Sequence, residues 1–287
     1  MFPPVDTKDP AAVSSFVAAK FAQLHPRADG AFLNHLFRDI EDLFTGRQHD
    51  YAAVDLYYHD LEHTLQATVC LILLLEGRQR AAAGPQLGPR HTELALSAAL
   101  LHDTGYLKLR SDVTGTGAKY TYCHVLRSCA FAAAYLPTLG ANDLDVEIVV
   151  NAINCTGPTK EIGHMKFDDA WGGVVGSAVG TADYLGQMAA ADYPDELEVL
   201  YSEFHEADEF VHVPVERRIF KSAYDLLERT PVFWRQFVKQ KLEVDFQGMY
   251  RFLATPYPDG YNAYLDAVEK NIAEISRRIA SLSLVGK

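Results

Sequence analysis

The 287-residue chain is poor in cysteine, short of cations and free of any long apolar run. Its four cysteines, Cys70, Cys123, Cys129 and Cys155, include no CxxC pair. A disulfide framework is therefore not expected, and they read as buried free thiols in a reducing compartment. Lysine and arginine number 26 against 38 acids, a net charge of −12. A surface for polynucleotide needs the opposite sign, which argues against a nucleic-acid polymer as partner. A small anionic substrate would need a local cluster of cations or a metal. The densest apolar run, Thr68 to Leu75, is far too short to cross a bilayer. The start, MFPPVDTKDPAAV, lacks a basic stretch followed by an apolar one. A cytoplasmic protein without a membrane partner is the expectation. Runs of alternating β-branched residues, internal repeats and Gly/Ser-rich linkers are missing too.

What is present is helical periodicity almost throughout, so the expected class is all-α. Apolar residues recur at helical spacing over Ala11–Leu24 and Gly30–Phe44. Tyr57–Glu76 reads as one long helix, apolar all round from Val69 to Leu75, and hence central. Thr92 reads as the N-cap of a helix over Glu93–His102. Further helices are expected over His124–Leu136, Asp145–Asn154, Gly176–Ala191, Glu196–Glu209, Glu216–Glu228 and Pro231–Leu242. A Gly-bearing loop is expected over 157–173. In the last helix, Asn262–Leu282, apolar residues from Leu265 to Leu282 alternate at gaps of three and four. That seam would suit a coiled coil and a homodimer, although packing on its own domain is favoured over so few heptads.

The stretch YYHDLEHTLQAT places His59 and His63 four residues apart, with Asp60 and Glu62 between. On a helix that spacing puts both imidazoles on one face. A zinc protease needs glutamate directly after the first histidine; here that position holds Asp60, so that chemistry is set aside. The second stretch, ALSAALLHDTGYLK, runs an apolar helix into His102-Asp103 before Gly105. Polar groups there are costly to desolvate unless they are paired or bind a cation. The third, VVGSAVGTADYLGQMA, is slim with Gly176, Ser177, Ala178, Gly180 and Ala182, and carries Asp183 into close packing. A buried carboxylate needs a partner, and a metal is a good one.

A histidine, then a His-Asp pair at a helix end, then a distant aspartate: the chain resembles the HD-domain superfamily of metal-dependent phosphohydrolases. YYHDLEHTLQA is also similar to the YHNxxHA segment of cyclic-nucleotide phosphodiesterases. The resemblance covers roughly residues 50–190 and implies an HD core over 51–195, N-terminal helices over 1–50 and a helical extension over 196–287. It implies that His63, His102, Asp103 and Asp183 bind a divalent metal, with Asp103 orienting the attacking water and His59 as general acid. Zinc, manganese, iron, nickel, cobalt and magnesium all stay open. Three places depart from the family pattern, and the missing histidines bear on a second ion. Asp60 stands where the phosphodiesterases have asparagine, and neither Tyr106-Leu107-Lys108 nor NAINCTGPTK supplies a further histidine. A second ion would be held by Asp103 as a bridge, His124 and water.

Asp60 and Glu62 are read as orienting imidazoles or as simply solvated. Lys108, Lys119 and Arg127 stand out in an acidic chain as candidate phosphate contacts, with Gly115–Tyr120 as a loop over the site. The remaining histidines carry no usable pattern, although His164 precedes the Asp183 helix. The expected activity is hydrolysis of a small phosphate ester, a nucleotide or cyclic nucleotide. A regulatory HD scaffold with a structural metal and a di-iron oxygenase are the rivals.

Overall fold

The computed structural model describes residues 2–157, 167 and 170–285. The helices are α1 (Pro10–Leu24), α2 (Ala31–Phe44), α3 (Leu61–Arg80), α4 (Pro89–Leu101) and α5 (His124–Tyr135). They continue with α6 (Asp143–Asn154), α7 (Ala170–Met188), α8 (Tyr193–Phe210), α9 (Ala223–Val232) and α10 (Ala263–Val285). The all-α expectation holds: among the described residues, strand is limited to the hairpin of β1 (Ala254–Thr255) and β2 (Tyr261–Asn262) and one bridge, Tyr51 to Leu109.

α3 is the central helix. Leu65, Val69, Leu71, Ile72, Leu74 and Leu75 are buried around its whole circumference, against α7, α4 and α1. It does not begin at Tyr57. The Asp60 carboxylate accepts the His63 N–H at 3.0 Å, an N-cap that starts the helix at Leu61. His59 therefore lies in the turn before the helix and not on its face.

The slim helix is α7, and its glycines let backbones meet. A Cβ on Gly186 would lie 2.8 Å from the Ala67 N on α3. Other boundaries shift for local reasons. α4 starts at Pro89 after Gly88; Thr92 bonds back to the Gly88 carbonyl inside the helix and meets His25 Nε2 at 2.8 Å. The stretch expected as a helix over Glu216–Glu228 opens as a short 3-10 turn and becomes α9 only at Ala223, behind the Ser222 cap. Beyond Pro231 the chain widens into π-helical turns at Phe233–Val238 and Lys241–Asp245, anchored by the fully buried Trp234. Most of the loop expected over 157–173, including Pro158, Gly163 and His164, lies outside the described residues; α7 already begins at Ala170.

One continuous apolar core runs from Val13 on α1 to Ile275 on α10. The core draws on all three expected segments, 1–50, 51–195 and 196–287, and the second boundary falls inside α8. On α10, Val268, Ile272 and Ile275 are buried in this core, and Asn271 donates to the carbonyls of Met188 and Ala190. The seam thus packs on the rest of its own chain. Cys70, Cys129 and Cys155 are buried and in no disulfide, whereas Cys123 is exposed.

Candidate metal centre

Three elements bring four side chains together. His63 comes from the first turn of α3, His102 and Asp103 from the end of α4, and Asp183 from the middle of α7. His63 Nε2 lies 3.3 Å from His102 Nε2, 3.2 Å from Asp103 Oδ2 and 3.5 Å from Asp183 Oδ1. His102 Nε2 lies 3.3 Å from Asp103 Oδ2 and 3.4 Å from Asp183 Oδ1. Neighbouring ligands on one ion with bonds of about 2.0–2.2 Å are roughly 2.8–3.6 Å apart. The five spacings all fall in that range. His63, His102 and Asp103 are almost wholly buried and form a group that can hold a metal ion.

The atoms left without partners support that fit. His102 Nδ1 lies 2.7 Å from the Ala99 carbonyl, so it carries the hydrogen and leaves a lone pair on Nε2. Asp103 Oδ2 is buried and accepts no hydrogen bond, although two ring nitrogens face it. A buried carboxylate oxygen and imidazole nitrogens gathered at one point form a setting that could hold a cation. With protons as the only cations, burial pulls the His63 pKa down, but Asp103 and Asp183 outweigh it and hold it up at about 10. Burial pushes Asp183 up, and His102 and His63 hold it at about 2. Asp103 is driven well below the usual carboxylate value against the same opposition. The Asp183 carboxylate is also fixed by Gln187, one turn on, whose amide donates to Oδ1 at 3.2 Å while its carbonyl accepts the Tyr58 hydroxyl at 2.7 Å.

A second cluster of rings adjoins the first. Tyr106 lies between His59 and His124, with ring centroids 4.6 Å from each. Gly105 makes this stack possible, because a Cβ there would sit 1.9 Å from the His124 carbonyl oxygen. Gly105 does not end α4, which stops at Leu101; its smallness admits the next helix. His124 Nδ1 lies 2.7 Å from the Thr121 carbonyl, and its Nε2 lies 3.8 Å from Asp103 Oδ1. Burial lowers the His124 pKa, which favours the neutral ring with a free Nε2 lone pair. Asp103 thus turns one oxygen to His63 and His102 and the other toward His124.

His59 is held from a distance in sequence. Its Nδ1 lies 2.6 Å from Glu203 Oε2 on α8, and Glu203 Oε1 accepts the Tyr58 N–H at 2.9 Å. The sequence reading missed Glu203 altogether. Protein-family models and curated proteins offer no match to the chain. What the site does must therefore be argued from its geometry.

The three cations expected to contact phosphate are occupied elsewhere. Lys108 bonds Asp55 and the Gly115 carbonyl. Lys119 is buried and bonds Asp112 and the Thr114 carbonyl. Arg127 donates to the carbonyls of Gly105 and Leu107 and lies over the Tyr120 ring, 3.6 Å from its centroid. They tie down the loop that includes Gly115–Tyr120, which Glu206 on α8 also grips through the N–H and hydroxyl of Thr116. The loop is a built scaffold, and charge counting in the sequence could not see the partners. Asp60 and Glu62 orient no imidazole either. Asp60 caps α3, and Glu62 accepts from Thr7 and Gln66.

Proposed function

We propose that the chain is a metal-dependent phosphohydrolase of HD type acting on a small phosphate ester, a nucleotide or cyclic nucleotide. The carrying observation is the His59–Glu203 pair beside a buried group of two imidazoles and two carboxylates. His63, His102, Asp103 and Asp183 would hold a divalent ion. Such an ion supplies Lewis acidity toward a phosphoryl oxygen and acidifies water at neutral pH.

The other steps fall to the chain itself. The Asp103 carboxylate would accept a hydrogen bond from an attacking water. Glu203 accepts a hydrogen bond from the His59 Nδ1–H, which leaves Nε2 as the atom that would deliver a proton to the departing oxygen. Tyr106 keeps the His59 ring plane fixed, so little reorganisation is needed when the leaving group arrives. The pairing of Lys108, Lys119 and Arg127 within the protein supports a substrate with one phosphate over one with several. The turn of Asp103 Oδ1 toward His124 supports a second ion, a geometry that a di-iron oxygenase would also use.

A hydrolysis screen over nucleotides, cyclic nucleotides and divalent metals tests this reading. His59→Ala should slow turnover about 10²–10⁴-fold with metal content intact. Loss of metal in that variant would make His59 a ligand, and a wholly inactive wild type holding two irons would favour the oxygenase.

A further inference from the structure

The ligand side chains are so deeply buried that an ion must cross protein to reach them. A cavity of about 150 Å³ touches one of them, His63. Its walls include Asp60, Glu62, Asp192 and Glu196, with Lys8 as the one lysine or arginine among its lining residues, and none of His59, Tyr106, His124 and Glu203 borders it. We infer that this cavity is the route by which the divalent ion loads, with Lys8 as its gate, separate from the His59–His124 face that receives substrate. The inference rests on the metal reading of the His63 cluster.

The physical case is one of opposite charges using different doors. Moving a dication from water toward a buried site is costly, and carboxylates along the path offset that cost and raise the on-rate. The same carboxylates repel a phosphate ester. At the outer end, Lys8 Nζ lies 3.1 Å from Asp192 Oδ2 and 3.9 Å from Glu62 Oε2, while Thr7 donates to Glu62 at 3.0 Å. The Lys8 side chain is 65% exposed, so solvent can take the ammonium as it swings off. An approaching dication replaces the ammonium without leaving the carboxylates uncompensated.

Zinc uptake by the metal-stripped full chain, and its release to excess chelator, are followed by stopped flow at low and high salt. Glu62→Gln with Glu196→Gln should slow uptake about tenfold at low salt, with less effect at high salt. Lys8→Ala should accelerate both uptake and release, a gain that a folding defect would not produce. If zinc binds at one or more per chain but neither variant changes the rates, the route is wrong. If the wild type binds no zinc or other divalent ion, the metal reading itself fails and the route with it.

Discussion

Glu203 Oε2 lies 2.6 Å from Nδ1 of His59, a residue 144 positions earlier in the chain. The contact ties α8 to the turn just before α3 and fixes which nitrogen of His59 faces the site. Removing it should disarm His59 and leave the metal group intact. Glu203→Gln is expected to lower kcat about 10–100-fold with unchanged metal content, measured by steady-state kinetics beside elemental analysis.

The same carboxyl carries a pH signature. Burial raises its pKa, but His59 and the N–H groups of Tyr58 and His59 prevail and hold it below the usual 4.5. A depressed carboxylate contributes stability above the unfolded value, and that stability is lost as pH falls through the folded one. The stability gap between wild type and Glu203→Gln should therefore narrow as pH drops below about 4.5, as chemical denaturation across pH would record.

Metal affinity should climb with pH. In the metal-free centre His63 is held up at about 10, against 6.5 for an ordinary histidine. Its proton stabilises that form fully below pH 6.5, and the benefit disappears as pH rises through about 10. A binding ion must expel that proton. Titration calorimetry at neutral pH in buffers of different ionisation enthalpy should show about one proton or more released per ion.

Ion binding should also stabilise the fold. At a thousandfold excess over Kd the gain is about 4 kcal/mol, seen as a rise in Tm that chelator reverses. Asp183→Ala should lose most of that rise, since it removes a ligand and leaves His63 and His102 facing one carboxylate.

Much of this site was legible beforehand, and the reason is physical. His102-Asp103 and Asp183 are polar residues in apolar stretches of α4 and α7, so the pattern itself exposes them; His63 stands among Glu62, Thr64 and Gln66 and is marked out by the similarity to the YHNxxHA segment. The N-cap role of Asp60 was legible too, as an acid just before an apolar run, and would have moved His59 off the helix. Glu203 was not, because nothing in YSEFHEADEF separates it from the other three acids of that stretch; only the packing of α8 selects it. The internal partners of Lys108, Lys119 and Arg127 were not legible, because a sequence shows a charge but not its partner.

That pairing makes its own prediction. Lys119→Met should destabilise the loop, lowering stability by about 1–3 kcal/mol, because Asp112 Oδ1 and the Thr114 carbonyl lose the Lys119 donor while Tyr120 still serves Asp112 Oδ2. KM should stay within about twofold. A large rise in KM with unchanged Tm would return Lys119 to the substrate.

The central claim is best tested by measuring metal content and phosphate release together on wild type and Asp103→Ala. Bound divalent metal and hydrolysis of at least one nucleotide or cyclic nucleotide in the wild type, with hydrolysis abolished in the variant, is the predicted result. Equal phosphate release by the two proteins, or a wild type without divalent metal, would contradict the account.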